Sequence, residues 1–103
     1  MVLINDKAKS DLENILNGLL VWKRFELSRD FVMEYLLDIV EVCYTIDKFS
    51  FHSRSTYELH KKFGKYVYCY KKNQNTSWYI IYNINEKGII FVEKIINNHL
   101  TVK

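Results

Sequence analysis

The chain has 103 residues, 49% of them apolar and 26% charged, with a net charge of +3. That length makes one domain, residues 1–103, able to bury a core without staples, and that composition excludes a disordered chain. Two cysteines and three histidines (His52, His60 and His99) match no zinc spacing, no apolar stretch approaches the ~20 residues of a membrane helix, and no metal or other cofactor is expected.

Val2–Asn5 is β-prone and reads as a short first strand. Nothing in Met1–Asp6 looks like a basic segment leading into an apolar run, so no signal peptide is expected and the cytoplasm is the expected compartment. Asn5 or Asp6 is placed to cap a helix. Ala8, Leu12, Ile15, Leu16 and Leu19 recur at three- and four-residue spacing, which predicts a helix over Lys7–Trp22. Gly18 weakens its second half. After a short link, Lys23–Leu27, Ser28 is a good N-cap for a second helix with Asp30 in its first turn. Two apolar rows follow, Phe31/Tyr35/Ile39/Val42/Ile46 and Val32/Leu36/Val40/Cys43. A stripe that wide predicts a helix pressed between its neighbour and a sheet, ending near Ile46.

Asp47–Lys62 is mixed and irregular, with a short strand or helical turn expected near Tyr57–His60. The period then changes to two. Tyr66, Tyr68 and Tyr70 alternate with Val67, Cys69 and Lys71, and Asn73-Gln74-Asn75-Thr76 supplies a turn. Ser77–Asn85 puts Trp78, Ile80, Tyr82 and Ile84 on one face and Tyr79, Ile81 and Asn83 on the other. Asn85-Glu86-Lys87-Gly88 predicts a tight turn with Gly88 at positive φ. Ile89–Ile96 is almost continuously apolar, as a central strand would be. Asn97–Lys103 is a mostly polar tail. Cys43 and Cys69 sit among apolar neighbours and are read as buried thiols. The fold class is therefore α+β, in the order β-α-α-β-β-β, with a helical hairpin on one face of a mostly antiparallel sheet and the other face open for binding.

Charge is divided unevenly. Residues 1–56 hold seven Lys/Arg against nine Asp/Glu, whereas residues 57–103 hold eight Lys against three Glu. A basic second half suits RNA, DNA or an acidic protein, or is simply a solvated lysine surface.

One segment, Trp78-Tyr79-Ile80-Ile81-Tyr82-Asn83-Ile84-Asn85-Glu86-Lys87-Gly88-Ile89-Ile90-Phe91-Val92, resembles the C-terminal signature of RelE/ParE toxins: an aromatic strand, a short acidic turn and a β-branched strand. Asn97-Asn98-His99 resembles the basic stretch that follows. Ala8-x-x-Asp11-Leu12-x-x-Ile15 is similar to the first-helix pattern, and Phe63-Gly64-Lys65-Tyr66 to the lead into the second strand. The resemblance implies the toxin of a type II toxin–antitoxin (plasmid-stabilisation) pair, bound and silenced by a cognate antitoxin. Family members act on messenger RNA in the ribosome or on DNA gyrase, and some have no settled activity.

Three departures bear on chemistry. The family's ribosome-dependent nucleases carry Arg where this chain has Tyr79, and a second Arg whose nearest counterpart here is His99. Their C-terminal Tyr has no match in Leu100-Thr101-Val102-Lys103. By the resemblance His99 and Tyr79 are the candidate catalytic residues, His99 as acid or base and Tyr79 for stacking or hydrogen bonding. Lys65, Lys71 and Lys72 are candidate phosphate contacts. Tyr66, Tyr68 and Tyr70 are either half-buried packing or a platform for RNA bases. The expected function is a growth-inhibiting toxin acting through RNA or gyrase, with ribonuclease activity open. The alternatives are a catalytically inactive family member or a small RNA-binding module.

Overall fold

The first strand is short because Asn5 starts a helix. Its Oδ1 accepts the Ala8 N–H at 3.0 Å, and its carbonyl accepts the Lys9 N–H at 3.0 Å, so the chain leaves the sheet and turns at once. The computed structural model describes residues 1–21, 29–72, 74 and 76–97. In chain order they form β1 (Val2–Ile4), α1 (Asp6–Val21), α2 (Arg29–Thr45), a 3₁₀ turn (Ile46–Lys48), α3 (Glu58–Lys61), β2 (Tyr66–Lys71), β3 (Ser77–Ile84) and β4 (Ile90–Asn97). The predicted link Lys23–Leu27, the Ser28 cap, Trp22 and the tail beyond Asn97 lie outside the described residues.

The sheet is four-stranded and mixed, in the order β1-β4-β3-β2. β1 runs parallel to β4, Val2 opposite Ile90, while β2–β3 and β3–β4 are antiparallel. The apolar run of β4 thus does occupy a central position. Gly88 has φ of +80° in the β3–β4 turn, as its place in the sequence predicts.

Helices α1 and α2 cover one face. Ala8, Ile39, Cys43 and Ile46 from the helices meet Trp78, Ile80 and Tyr82 of β3 and Ile90, Val92 and Ile95 of β4. The buried stripe of α2 is Val32, Leu36, Ile39 and Cys43, continued by Ile46 of the 3₁₀ turn, and Phe31 is exposed, so the helix is turned slightly from the expected rows. Trp78 donates its indole N–H to the Tyr35 hydroxyl at 3.0 Å, tying β3 to α2. Each fully buried Ile in this layer contributes about 1.5–3 kcal/mol relative to exposure.

Glu93 is the extra residue of a β-bulge. Ile81 pairs with Lys94, but Tyr82 pairs with Val92. Beyond Val92, β1 has ended and β4 is left with an unpaired edge. Asp11 of α1 fills that gap: Oδ2 accepts the Ile95 N–H at 3.0 Å and Oδ1 accepts the Lys94 ammonium at 2.8 Å. A side chain here does the work of a missing strand.

The irregular stretch after α2 has more order than its composition shows. Ser55 donates its N–H to Lys65 O at 2.8 Å, and Val67 donates to Ser53 O at 2.9 Å. Arg54 thereby bridges to Tyr66 in antiparallel fashion. This segment borders the β2 edge, and α3 then folds across the sheet face opposite α1 and α2. Among the described residues no helix is long and apolar enough to cross a membrane.

Candidate functional site

The sheet face away from the two long helices is partly covered. His60 of α3 is only 1% exposed, and its ring packs at a tilt against Tyr79 with centroids 4.8 Å apart. Tyr57 meets the same imidazole edge-on at 5.3 Å. The chain can pass this close to the sheet because residue 64 is glycine. A Cβ there would lie 2.9 Å from Ile81 Cγ2 and 3.0 Å from the Tyr82 carbonyl oxygen.

This crossing forms a cleft of about 460 Å³, lined by Arg54, Ser55, Lys61, Lys62, Phe63, Gly64, Lys65 and Asn83. Four of those eight residues are cationic and none is acidic. Among the described residues only Lys61 of the four has an ion pair, with Glu58 at 3.6 Å, and both partners are well exposed. Such a pair contributes little and leaves the local field positive. The wall is fixed by polar links: the Lys65 N–H donates to Asn83 Oδ1 at 2.8 Å, and Asn83 Nδ2 donates to the bulge carboxylate Glu93 Oε2 at 3.0 Å. Glu93 also accepts from the Asn5 side chain, which joins the cleft wall to the start of α1.

Three buried side-chain atoms have no hydrogen-bond partner within the described protein: Ser55 Oγ and both ring nitrogens of His60. Both residues belong to the segment that forms the cleft. Burial pushes the His60 imidazole below its ordinary pKa, favouring the neutral ring. Tyr79 is pushed the other way, first by burial and then by charge at Cys69 and Tyr57.

The residues singled out from the sequence do not gather at one place. Lys65 lines the cleft. Lys71 is exposed at the far end of β2. Lys72 is paired with Asp38 of α2, and its ammonium lies 4.7 Å from the centre of the Tyr35 ring. Burial works against its charge, but the Asp38 hydrogen bond and nearby negative charge outweigh it and raise the pKa.

Tyr66, Tyr68 and Tyr70 stand opposite Tyr82, Ile80 and Trp78, so they share the helix-packed face, where they rest half-buried against the core. Of the two readings of these tyrosines, half-buried packing is the one the structure shows, so they do not form an open platform. These rings belong to the core side, where Phe49 packs on Tyr68 at 4.8 Å and Tyr82 stacks on Tyr66 at 5.7 Å. Tyr79 is on the opposite face but lies under His60, outside the cleft lining. His99 lies outside the described residues. Cys69 is exposed and only Cys43 is buried, against the expectation of two buried thiols; both are free.

Sequence patterning assigns His52 and His60 no role and does not single out Arg54, Ser55, Lys61 or Lys62. Their signal was local: a Lys-Lys pair, then Phe-Gly-Lys, in a chain whose charge turns positive there. Among the described residues no group of three His, Cys, Asp or Glu is placed to hold a metal ion. No family model, curated protein or solved structure matches this chain.

Proposed function

We propose that this chain is a cytoplasmic toxin of the RelE/ParE type, which arrests growth through RNA or DNA gyrase and is neutralised by a cognate antitoxin. The observation that carries the reading is the division of the molecule. A β-α-α-α-β-β-β chain packs its two long helices on one sheet face and gathers lysines in a cleft on the other. That arrangement suits a small protein that presents positive charge to a phosphate-bearing target. The motifs in Trp78–Val92 support it, since that segment forms the β3–β4 hairpin on which the resemblance rests.

A second reading, binding without cleavage, is favoured by one feature. The residue at the family's arginine position, Tyr79, cannot grip a phosphate as a guanidinium does, and the His60 ring lies over it. Induced expression in a bacterial host tests the toxin reading. Growth should stop, and co-expression of the small protein encoded beside this one should restore it. Unimpaired growth with folded protein present would remove the reading. If growth stops, supercoiling and messenger-RNA integrity assays separate gyrase from RNA. His99→Ala and Tyr79→Ala then test the expected catalytic pair, and full toxicity in both variants would exclude it.

A further inference from the structure

We propose that the cleft beside α3 is a receptor for the phosphate group of a nucleotide, with Ser55 as its neutral donor and Lys62 and Lys65 as its cations. The proposal deepens the function above and rests on reading this flank as the one that meets the target. Two independent observations meet there. One is charge: four cationic residues line a cleft with no carboxylate in its wall. The other is an unsatisfied donor. Ser55 is 7% exposed, and its hydroxyl has no partner among the described residues. An unpaired buried hydroxyl is costly, so such groups are nearly always satisfied in native proteins, by a ligand where the protein offers nothing.

The backbone aims Ser55 into the cleft. Arg54 bridges to Tyr66, whose ring is on the helix side, so by alternation Ser55 projects to the opposite side, toward Gly64, Lys65 and Asn83. The chemistry of the ligand follows from the lining. Several cations with a hydroxyl donor suit a multiply charged oxyanion better than a carboxylate. About 460 Å³ exceeds what one phosphate needs and suits a phosphate carrying a sugar and base. A free nucleotide and a link of an RNA chain share this chemistry.

The test titrates isotope-labelled protein with inorganic phosphate, a ribonucleoside monophosphate and a short oligoribonucleotide at constant ionic strength, reading amide shifts. Saturable shifts should be confined to residues 54–65 and 83. Lys62→Ala with Lys65→Ala should weaken binding by about tenfold or more, and Ser55→Ala by about fivefold, one hydrogen bond's worth. Lys87→Ala, in the β3–β4 turn, should bind as the parent does. Oligomer binding far tighter than the monophosphate identifies the chain as the source; equal affinity identifies the free nucleotide. No saturable shift with any of the three probes, or unchanged affinity in the double variant with native near-ultraviolet circular dichroism, overturns the proposal. Growth arrest without phosphate binding would leave the toxin reading standing, and phosphate binding without arrest would leave the site standing.

Discussion

Tyr82 and His60 show how single polar groups set the conditions this fold tolerates. The Tyr82 hydroxyl shares a 2.7 Å hydrogen bond with His52 Nδ1. Burial, with the neighbouring Tyr66, pushes its pKa from 10.0 to about 12. Burial likewise pushes the Cys43 thiol from 9.0 to about 12. Both folded values are raised, so the stability linked to them is complete below about pH 9 and drains away as pH rises toward 12. Urea midpoints should therefore fall between pH 8 and pH 11, and Tyr82→Phe should soften that fall while costing about 1 kcal/mol at pH 8 through the lost hydrogen bond. His60 runs in the opposite sense. Its folded pKa lies below 6.5, so its contribution is present above that value and is lost as pH falls through the folded pKa. Denaturant melts at pH 7.5 and pH 5 should show a loss of stability that His60→Leu, similar in size and unable to ionise, largely abolishes. An equal loss in the variant would place the acid sensitivity elsewhere.

Among the elements, β4 depends most on a contact remote in sequence. It is central for three residues of β1 and then becomes an edge, where Asp11 of α1 supplies the acceptor for Ile95 and the counter-charge for Lys94. Asp11→Ala should destabilise the domain by about 1.5–3 kcal/mol, the range for a hydrogen bond to a charged group. Asp11→Asn should cost less, because its amide oxygen still accepts one bond. Chemical denaturation of the two variants checks the order, and equal costs would mean that the charge rather than the edge bond matters. The Ala8, Leu12 and Ile15 stripe was legible in the sequence as one face of a helix. That Asp11 closes a strand edge was not, because its partners are more than eighty residues away.

The whole molecule separates its charges as well as its layers. The acidic first half builds the two long helices, and the lysine-rich second half begins at α3 and supplies the three lysines of the cleft lining. If the cleft follows a nucleic-acid backbone, the logarithm of oligoribonucleotide affinity should fall linearly with the logarithm of salt concentration. Removing Lys62 or Lys65 should then reduce that slope by about 0.7 each, the value for one phosphate contact on a single strand. Filter binding across a salt series measures it. Slopes unchanged by both substitutions would mean that neither ammonium displaces a counterion from the strand.

By itself the sequence determined the elements that carry a period. The two long helices, the β2–β3–β4 meander, the Gly88 turn and the central place of the last strand follow from local spacing, which is a property of neighbouring residues. Tertiary structure decided what depends on residues far apart. It set the parallel pairing of β1 with β4, the bulge at Glu93, and the side of the sheet on which Tyr66, Tyr68 and Tyr70 lie. A period of two says which residues share a face but not which face the helices will cover. It also drew Arg54, Ser55, Lys62 and Lys65 into one cleft. Those residues lie in or beside a stretch with no period at all, and their arrangement comes from Gly64 allowing the chain to cross tightly over Ile81.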